Sequence, residues 1–172
     1  APWSNPGFSG FFLSLVIFGF GGGITGVTLG TQQINIMAHN TPRIPRHFHV
    51  TVVGGTALAF MAVTYYVVPL IFRREYPMRA ICKLQPFVFA LGIVMISFGM
   101  SFAGSYGVSR PHWDIEFTGA THAAGYDPSV HVWLALVGIG GIVAFTGLLM
   151  YVLTTVAAVF FGKKIDGKMT AW

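Results

Sequence analysis

Four long apolar stretches, at about 8–30, 47–72, 85–106 and 129–161, limit what this chain can fold into. The first carries no charged side chain. Each is long enough to cross a hydrocarbon core, which takes about 20 helical residues. Inside a bilayer every backbone N–H and C=O needs an internal partner, so runs of this length cross as helices. Only 9% of the 172 residues are charged and 54% are hydrophobic, whereas soluble domains average about 25% charged. That much apolar sequence cannot be covered by polar surface. The chain is therefore expected to be all-α and integral to a membrane, one transmembrane unit over 1–172 with four spans. No internal repeat or low-complexity linker divides it. The fourth stretch is longer than a bilayer needs, which predicts tilt or protrusion.

The connections carry the remaining information. The net charge of +5 sits in short loops, where positive charge sets orientation and does not argue for nucleic acid. Arg73, Arg74, Arg79, Lys83, Lys163, Lys164 and Lys168 fall on one side; Arg43, Arg46 and Arg110 fall on the other. Seven against three makes the first side cytoplasmic, and both termini with it. No charged segment with a small-residue cleavage site precedes the first run, so no signal peptide is expected. Cys82 is the only cysteine, which excludes an intrachain disulfide or thiolate cluster. Asn5-Pro6 reads as a helix entry, a capping residue followed by proline in the first turn. Pro42 and Pro45 are expected to prevent a regular helix through the polar connection 31–46. Gly19, Gly21, Gly22, Gly23 and Gly26 predict close approach of a neighbouring helix or a flat cofactor face. Trp3, Trp113, Trp133 and Trp172 fit interfacial anchors, and Tyr65-Tyr66 reads as packing.

His47-Phe48-His49 heads the second stretch. Histidines at i and i+2 do not form one metal site on a helix. At about 100° per residue their side chains diverge by roughly 200° and point to opposite faces. One helix could thus hold two different cofactors, one on each side. Imidazole at membrane depth is costly unless it is used or paired. Metal ligation and proton transfer are its common uses, and in a helical membrane bundle heme iron is a leading candidate.

Gly22-Gly23-Ile24-Thr25-Gly26-Val27, then His39-Asn40-Thr41, then Pro45 and His47-Phe48-His49 resemble the catalytic subunit of heme-copper oxygen reductases. Asn40 after His39, and Pro45 before the pair, are more similar to the B family than to the A family. Continued along the chain, the resemblance covers all four spans, as helices nine to twelve of that subunit. It implies that His47 is the proximal ligand of the high-spin heme, where oxygen is reduced. It implies that His49 is one of two axial ligands of the low-spin heme, with Phe48 keeping the two irons close. Arg110 falls where the family has an arginine pair beside the heme propionates. His39 falls near the high-spin heme's propionate, at a position associated with proton exit. Asn35 stands where the family usually has a carboxylate near the propionate. An amide cannot take up a proton.

The same resemblance marks what is different here. Pro111 replaces the second arginine, and Arg46 stands where a small residue is usual. Asn40 replaces an aspartate that helps bind magnesium in the A family, so no such site is expected. The second axial histidine and the three copper histidines have no counterpart among His39, His112, His122 and His131. The copper next to the high-spin heme is thus expected on a partner chain, a larger membrane chain carrying the earlier helices, unless the sequence is a piece of a longer one. A copper-containing subunit II, cytochrome c or a similar electron donor, and the lipid bilayer complete the implied partners. The implied location is the prokaryotic cytoplasmic membrane. Two alternatives stay open: a nitric oxide reductase of the same superfamily, and a b-type electron-carrying membrane cytochrome. A heme-free structural subunit is a third class.

Overall fold

The computed structural model describes residues 1–110, 127–165 and 167. Among them the chain is all-helical: α1 (Pro6–Gly30), a short α2 (Gln32–Ala38), α3 (Arg43–Phe72), α4 (Arg79–Ser105) and α5 (Ser129–Phe161). Helices α1, α3, α4 and α5 are long and apolar enough to cross a membrane. The Asn5 side chain accepts from the N–H groups of Gly7 (2.9 Å) and Phe8 (3.2 Å), with Pro6 in the first turn, so α1 starts as its sequence suggests.

The connection before His47 differs from expectation. It is largely helical: α2 occupies its first half, and α3 already begins at Arg43. Pro45 is the third residue of α3. The first four N–H groups of a helix have no intrahelical partner, so a proline there removes no bond. The prolines therefore mark the entry of α3 and do not block it, and His47 lies in the second turn. Helix α4 also starts earlier than expected, at Arg79 rather than 85, with Pro86 buried inside it. Its first turn is charged, and Arg79 pairs with Glu75 at 3.3 Å.

Helices α4 and α5 form the main seam. A Cβ built at Gly140 would lie 2.8 Å from the Ile96 nitrogen, and one at Gly147 2.7 Å from Cα of Phe89. Gly92 faces Ala144, and Gly99 faces Val137. Positions 89, 92, 96 and 99 thus meet 147, 144, 140 and 137 in antiparallel register. The alternating spacing of three and four is that of a helix pair whose side chains interlock along one stripe. Small residues let the backbones approach, as packing inside a membrane requires.

Helices α1 and α3 cross differently. Each contains a π-helical segment, Ile17–Gly22 in α1 and His49–Ala57 in α3. The segments pack antiparallel. Ile17 lies against Gly54, Phe18 against Gly55, Val50 against Gly21, and Thr51 against Gly22. Three of the five glycines singled out in α1, Gly21, Gly22 and Gly26, therefore face α3 closely, whereas a Cβ at Gly19 or Gly23 would meet nothing within 4 Å.

The core lies between α1, α3, α4 and α5, built on Leu58, Met61, Phe89, Ile93 and Ala144. Below it is a buried polar pair. The Tyr65 hydroxyl donates to Gln85 Oε1 at 3.1 Å, and both residues are fully buried. At the opposite end Trp133 stacks on Phe102, with ring centroids 4.4 Å apart. Trp113 and Trp172 lie outside the described residues. Asp127 accepts from the N–H of Ser129 at 2.8 Å, and that bond holds its carboxyl below the usual range. At the other end of α5, Arg74 donates to the carbonyls of Phe160 (3.2 Å) and Gly162 (3.0 Å). A cation on these free carbonyls favours the helix C-terminus.

Candidate heme-binding site

The site is built around the second turn of α3. Backbone dihedrals stay α-helical through Phe48 (φ −60°, ψ −46°) and His49 (φ −63°, ψ −38°). Successive side chains here therefore still turn by about 100°, and the rings of His47 and His49 diverge by roughly 200°. Phe48, between them, is 56% exposed.

His47 is turned toward α1. Its Nδ1 lies 2.7 Å from the Thr25 hydroxyl oxygen. Its Cε1 would be 3.3 Å from a Cβ at Gly26, so the ring edge rests on that glycine. His49 is held within its own helix, where Nδ1 lies 2.8 Å from the carbonyl oxygen of Pro45. A carbonyl only accepts, so His49 Nδ1 carries the proton and donates it. The lone pair of His49 is then on Nε2. This is the arrangement a metal-ligating histidine needs, with one ring nitrogen donating and the other free to bind. His47 meets the same condition when Thr25 accepts from its Nδ1. The donor set therefore fits heme iron, which takes one imidazole per side. Among the described residues no three His, Cys, Asp or Glu side chains converge, so each imidazole here offers a single donor.

The neighbouring positions lie at the same end of the bundle. The N–H of Arg110 donates to the Asn40 carbonyl at 2.6 Å, which ties the loop after α4 to the loop before α3. Asn40 has φ +58°, a left-handed conformation that asparagine tolerates better than most residues. Gly104 lets the Arg43 backbone come close. The side chains of Arg110 and His39 are exposed. Asn35 is exposed too, and its amide donates to the Leu29 carbonyl at 2.8 Å. Arg46 turns away from His47, and its Nε donates to Ser97 of α4 at 3.0 Å. It borders a cavity of about 320 Å³ lined by Phe20, Ile24, Val50 and Phe98. Pro111, His112 and His122 lie outside the described residues.

Thr25 and Ser97 are the two partners that reasoning from sequence left without a role. Each is a buried hydroxyl on an apolar span, and such a group needs a partner. That is the signal that could have found them.

The fold defines an integral membrane protein with four apolar helices, one of which carries two imidazoles on divergent faces. Residues 5–143 match the family model described as Cytochrome C and Quinol oxidase polypeptide I, and the chain belongs to that family. Cytochrome c oxidase subunit 1 of Thermus thermophilus is 29% identical over 154 residues, 88% of this chain and 26% of the relative. Cytochrome c oxidase subunit 1 of Eremothecium gossypii is 31% identical over 100 residues, 57% of this chain and 18% of the relative. A solved heme-copper terminal oxidase dimer matches with a TM-score of 0.80 and 29% identity, over 97% of this chain and 28% of that chain. This chain thus spans about a quarter of the first of these relatives and of the solved neighbour. It corresponds to one part of the subunit I chains that it matches.

Proposed function

We propose that this chain is the helix-nine-to-twelve portion of a terminal oxidase's catalytic subunit, and that α3 ligates both hemes. His47 is the proximal ligand of the high-spin heme and His49 one axial ligand of the low-spin heme. The observation that carries this reading is the pairing of both Nδ1 atoms, His47 with the Thr25 hydroxyl and His49 with the Pro45 carbonyl, which points each Nε2 away from these partners. The bound hemes would supply electron transfer and the reduction of oxygen to water, with coupled proton translocation. The chain's own residues orient the two imidazoles, separate them by Phe48, and offer the Arg110 guanidinium to propionates at the outer end. A guanidinium pairs with a carboxylate bidentately. His39 and Asn35 belong to the same propionate-side region in this reading.

The remaining low-spin ligand and the copper next to the high-spin heme are assigned to the catalytic subunit's earlier helices, whether these belong to a larger partner chain or to the same polypeptide. Electrons arrive through a copper-containing subunit II from cytochrome c or a similar donor. The excess of basic residues in the connection after α3 and after α5 supports cytoplasmic termini in a prokaryotic inner membrane, with His47 and His49 near the outer face.

The test uses two substitutions in the assembled complex. His49→Ala should remove the low-spin heme and its sharp reduced-state band. His47→Ala should spare that band and abolish carbon monoxide binding at the high-spin heme. Loss of the same heme by both variants would sink the two-face assignment.

A further inference from the structure

The geometry points to Thr25 as the positioning residue that fixes the tautomer and azimuth of His47, through a hydroxyl relayed to the backbone of α1. The inference rests on the reading of His47 as a heme ligand. Thr25 is 2% exposed. Its hydroxyl oxygen lies 2.7 Å from His47 Nδ1, 2.7 Å from the Gly21 carbonyl and 3.0 Å from the Gly22 carbonyl.

A hydroxyl has one proton and two lone pairs, and carbonyls only accept. Two arrangements follow. When Thr25 donates to Gly21 or Gly22, its lone pair faces His47 and accepts the Nδ1 proton. The Nε2 lone pair is then free. When Thr25 donates to His47, the ring's proton moves to Nε2 and the donor is lost. The two carbonyls within reach favour the first arrangement, because donation to backbone one turn back is the usual choice of a threonine in a helix. Gly26, one residue on, gives the ring a flat stop at Cε1. One residue thus sets the ring's proton and the next its position.

His49 provides the contrast. Its Nδ1 is held by a backbone carbonyl of its own helix, which side-chain substitution cannot remove. The two imidazoles are therefore separable: a change at Thr25 acts on His47 alone. Partners of this kind typically matter by about 10–100-fold in metal affinity.

The experiment uses Thr25→Val, similar in shape but without the hydroxyl, and Thr25→Ser, in the assembled oxidase. Resonance Raman reads the iron–histidine stretch of the reduced high-spin heme, and a redox titration reads both heme potentials. Thr25→Val should lower the stretching frequency and raise the high-spin potential, because an imidazole without an acceptor on Nδ1 donates less charge to iron. Heme retention should weaken by roughly 10- to 100-fold. The low-spin heme should not move, and Thr25→Ser should restore all three values. An unchanged stretch and potential in Thr25→Val, or equal shifts of both hemes, would overturn the inference. Should Thr25→Val fail to assemble, the smaller Thr25→Ala carries the same test. His47→Ala serves as the reference. If it keeps a carbon-monoxide-binding heme, the ligand reading fails first, and that outcome is distinct from a silent Thr25.

Discussion

Two adjacent glycines on α5 should respond to the same substitution in opposite directions. Gly140 faces α4, and a Cβ there would lie 2.8 Å from the Ile96 nitrogen and 2.9 Å from the Gly92 carbonyl oxygen. Ordinary contacts between heavy atoms are about 3.5–4.0 Å, so the new methyl is roughly 1 Å too close. The obstructing atoms are backbone and the Met95 Cβ, which no rotamer change moves, so the helices must part. Overpacking of this kind costs about 1–3 kcal/mol. A Cβ at Gly141 meets nothing within 4 Å. Alanine in place of glycine in a helix gains up to about 0.5–1 kcal/mol. In a bilayer the gain is at the low end, because separated helices remain helical. The helix gain is common to both changes, so Gly140→Ala should lie below Gly141→Ala by the overpacking cost, roughly 1–3 kcal/mol. Unfolding of the assembled complex in mixed detergent micelles, followed by loss of the heme spectrum and of helicity, measures the difference. A Gly140→Ala complex as stable as the wild type would refute the α4–α5 seam as described.

Arg110→Gln should lower the midpoint potential of at least one heme with both irons still ligated, by an amount worth no more than about 1–3 kcal/mol. A redox titration with unchanged potentials would leave Arg110 as a loop residue. Tyr65→Phe should leave Gln85 Oε1 without its Tyr65 donor at a fully buried site, at a cost of about 1–3 kcal/mol. The double variant Tyr65→Phe/Gln85→Leu should cost less than the two single changes together, and simple additivity in the unfolding assay would count against a direct pair.

The four long helices were legible because length and missing charge constrain a membrane segment more tightly than any propensity does. The boundaries were less so. Pro42 and Pro45 read as helix breakers in the sequence, yet Pro45 lies in the first turn of α3, where its missing N–H is harmless. Arg79 and Lys83 lie outside any apolar run, although a helix can continue past the apolar zone while its long side chains reach for water. The spacing of His47 and His49 announced divergent rings, and the structure keeps α-helical dihedrals at that point. Thr25 was not legible, because its partner lies 22 residues away on another helix. Nor was the α4–α5 seam. Gly92 and Gly99, or Gly140 and Gly147, show their meaning only when the facing helix supplies the register.

The π-helical segments connect the crossing of α1 and α3 to the site above it. Bonds from i to i+5 take in about one more residue per turn than an α-helix. Each such insertion rotates the following residues by about 100° relative to an uninterrupted helix. In α3 the change begins at His49, so His47 and His49 keep their α-helical relation while the residues that follow are rephased. The rephased segment presents Gly54 and Gly55 to Ile17 and Phe18. In α1 the change ends at Gly22, three residues before Thr25. Both helices are therefore α-helical where His47 meets Thr25 and π-helical along the contact that follows. A sequence that kept α-helical phase throughout could satisfy either the hydroxyl–imidazole contact or the glycine-lined crossing. The two π segments let one pair of helices satisfy both.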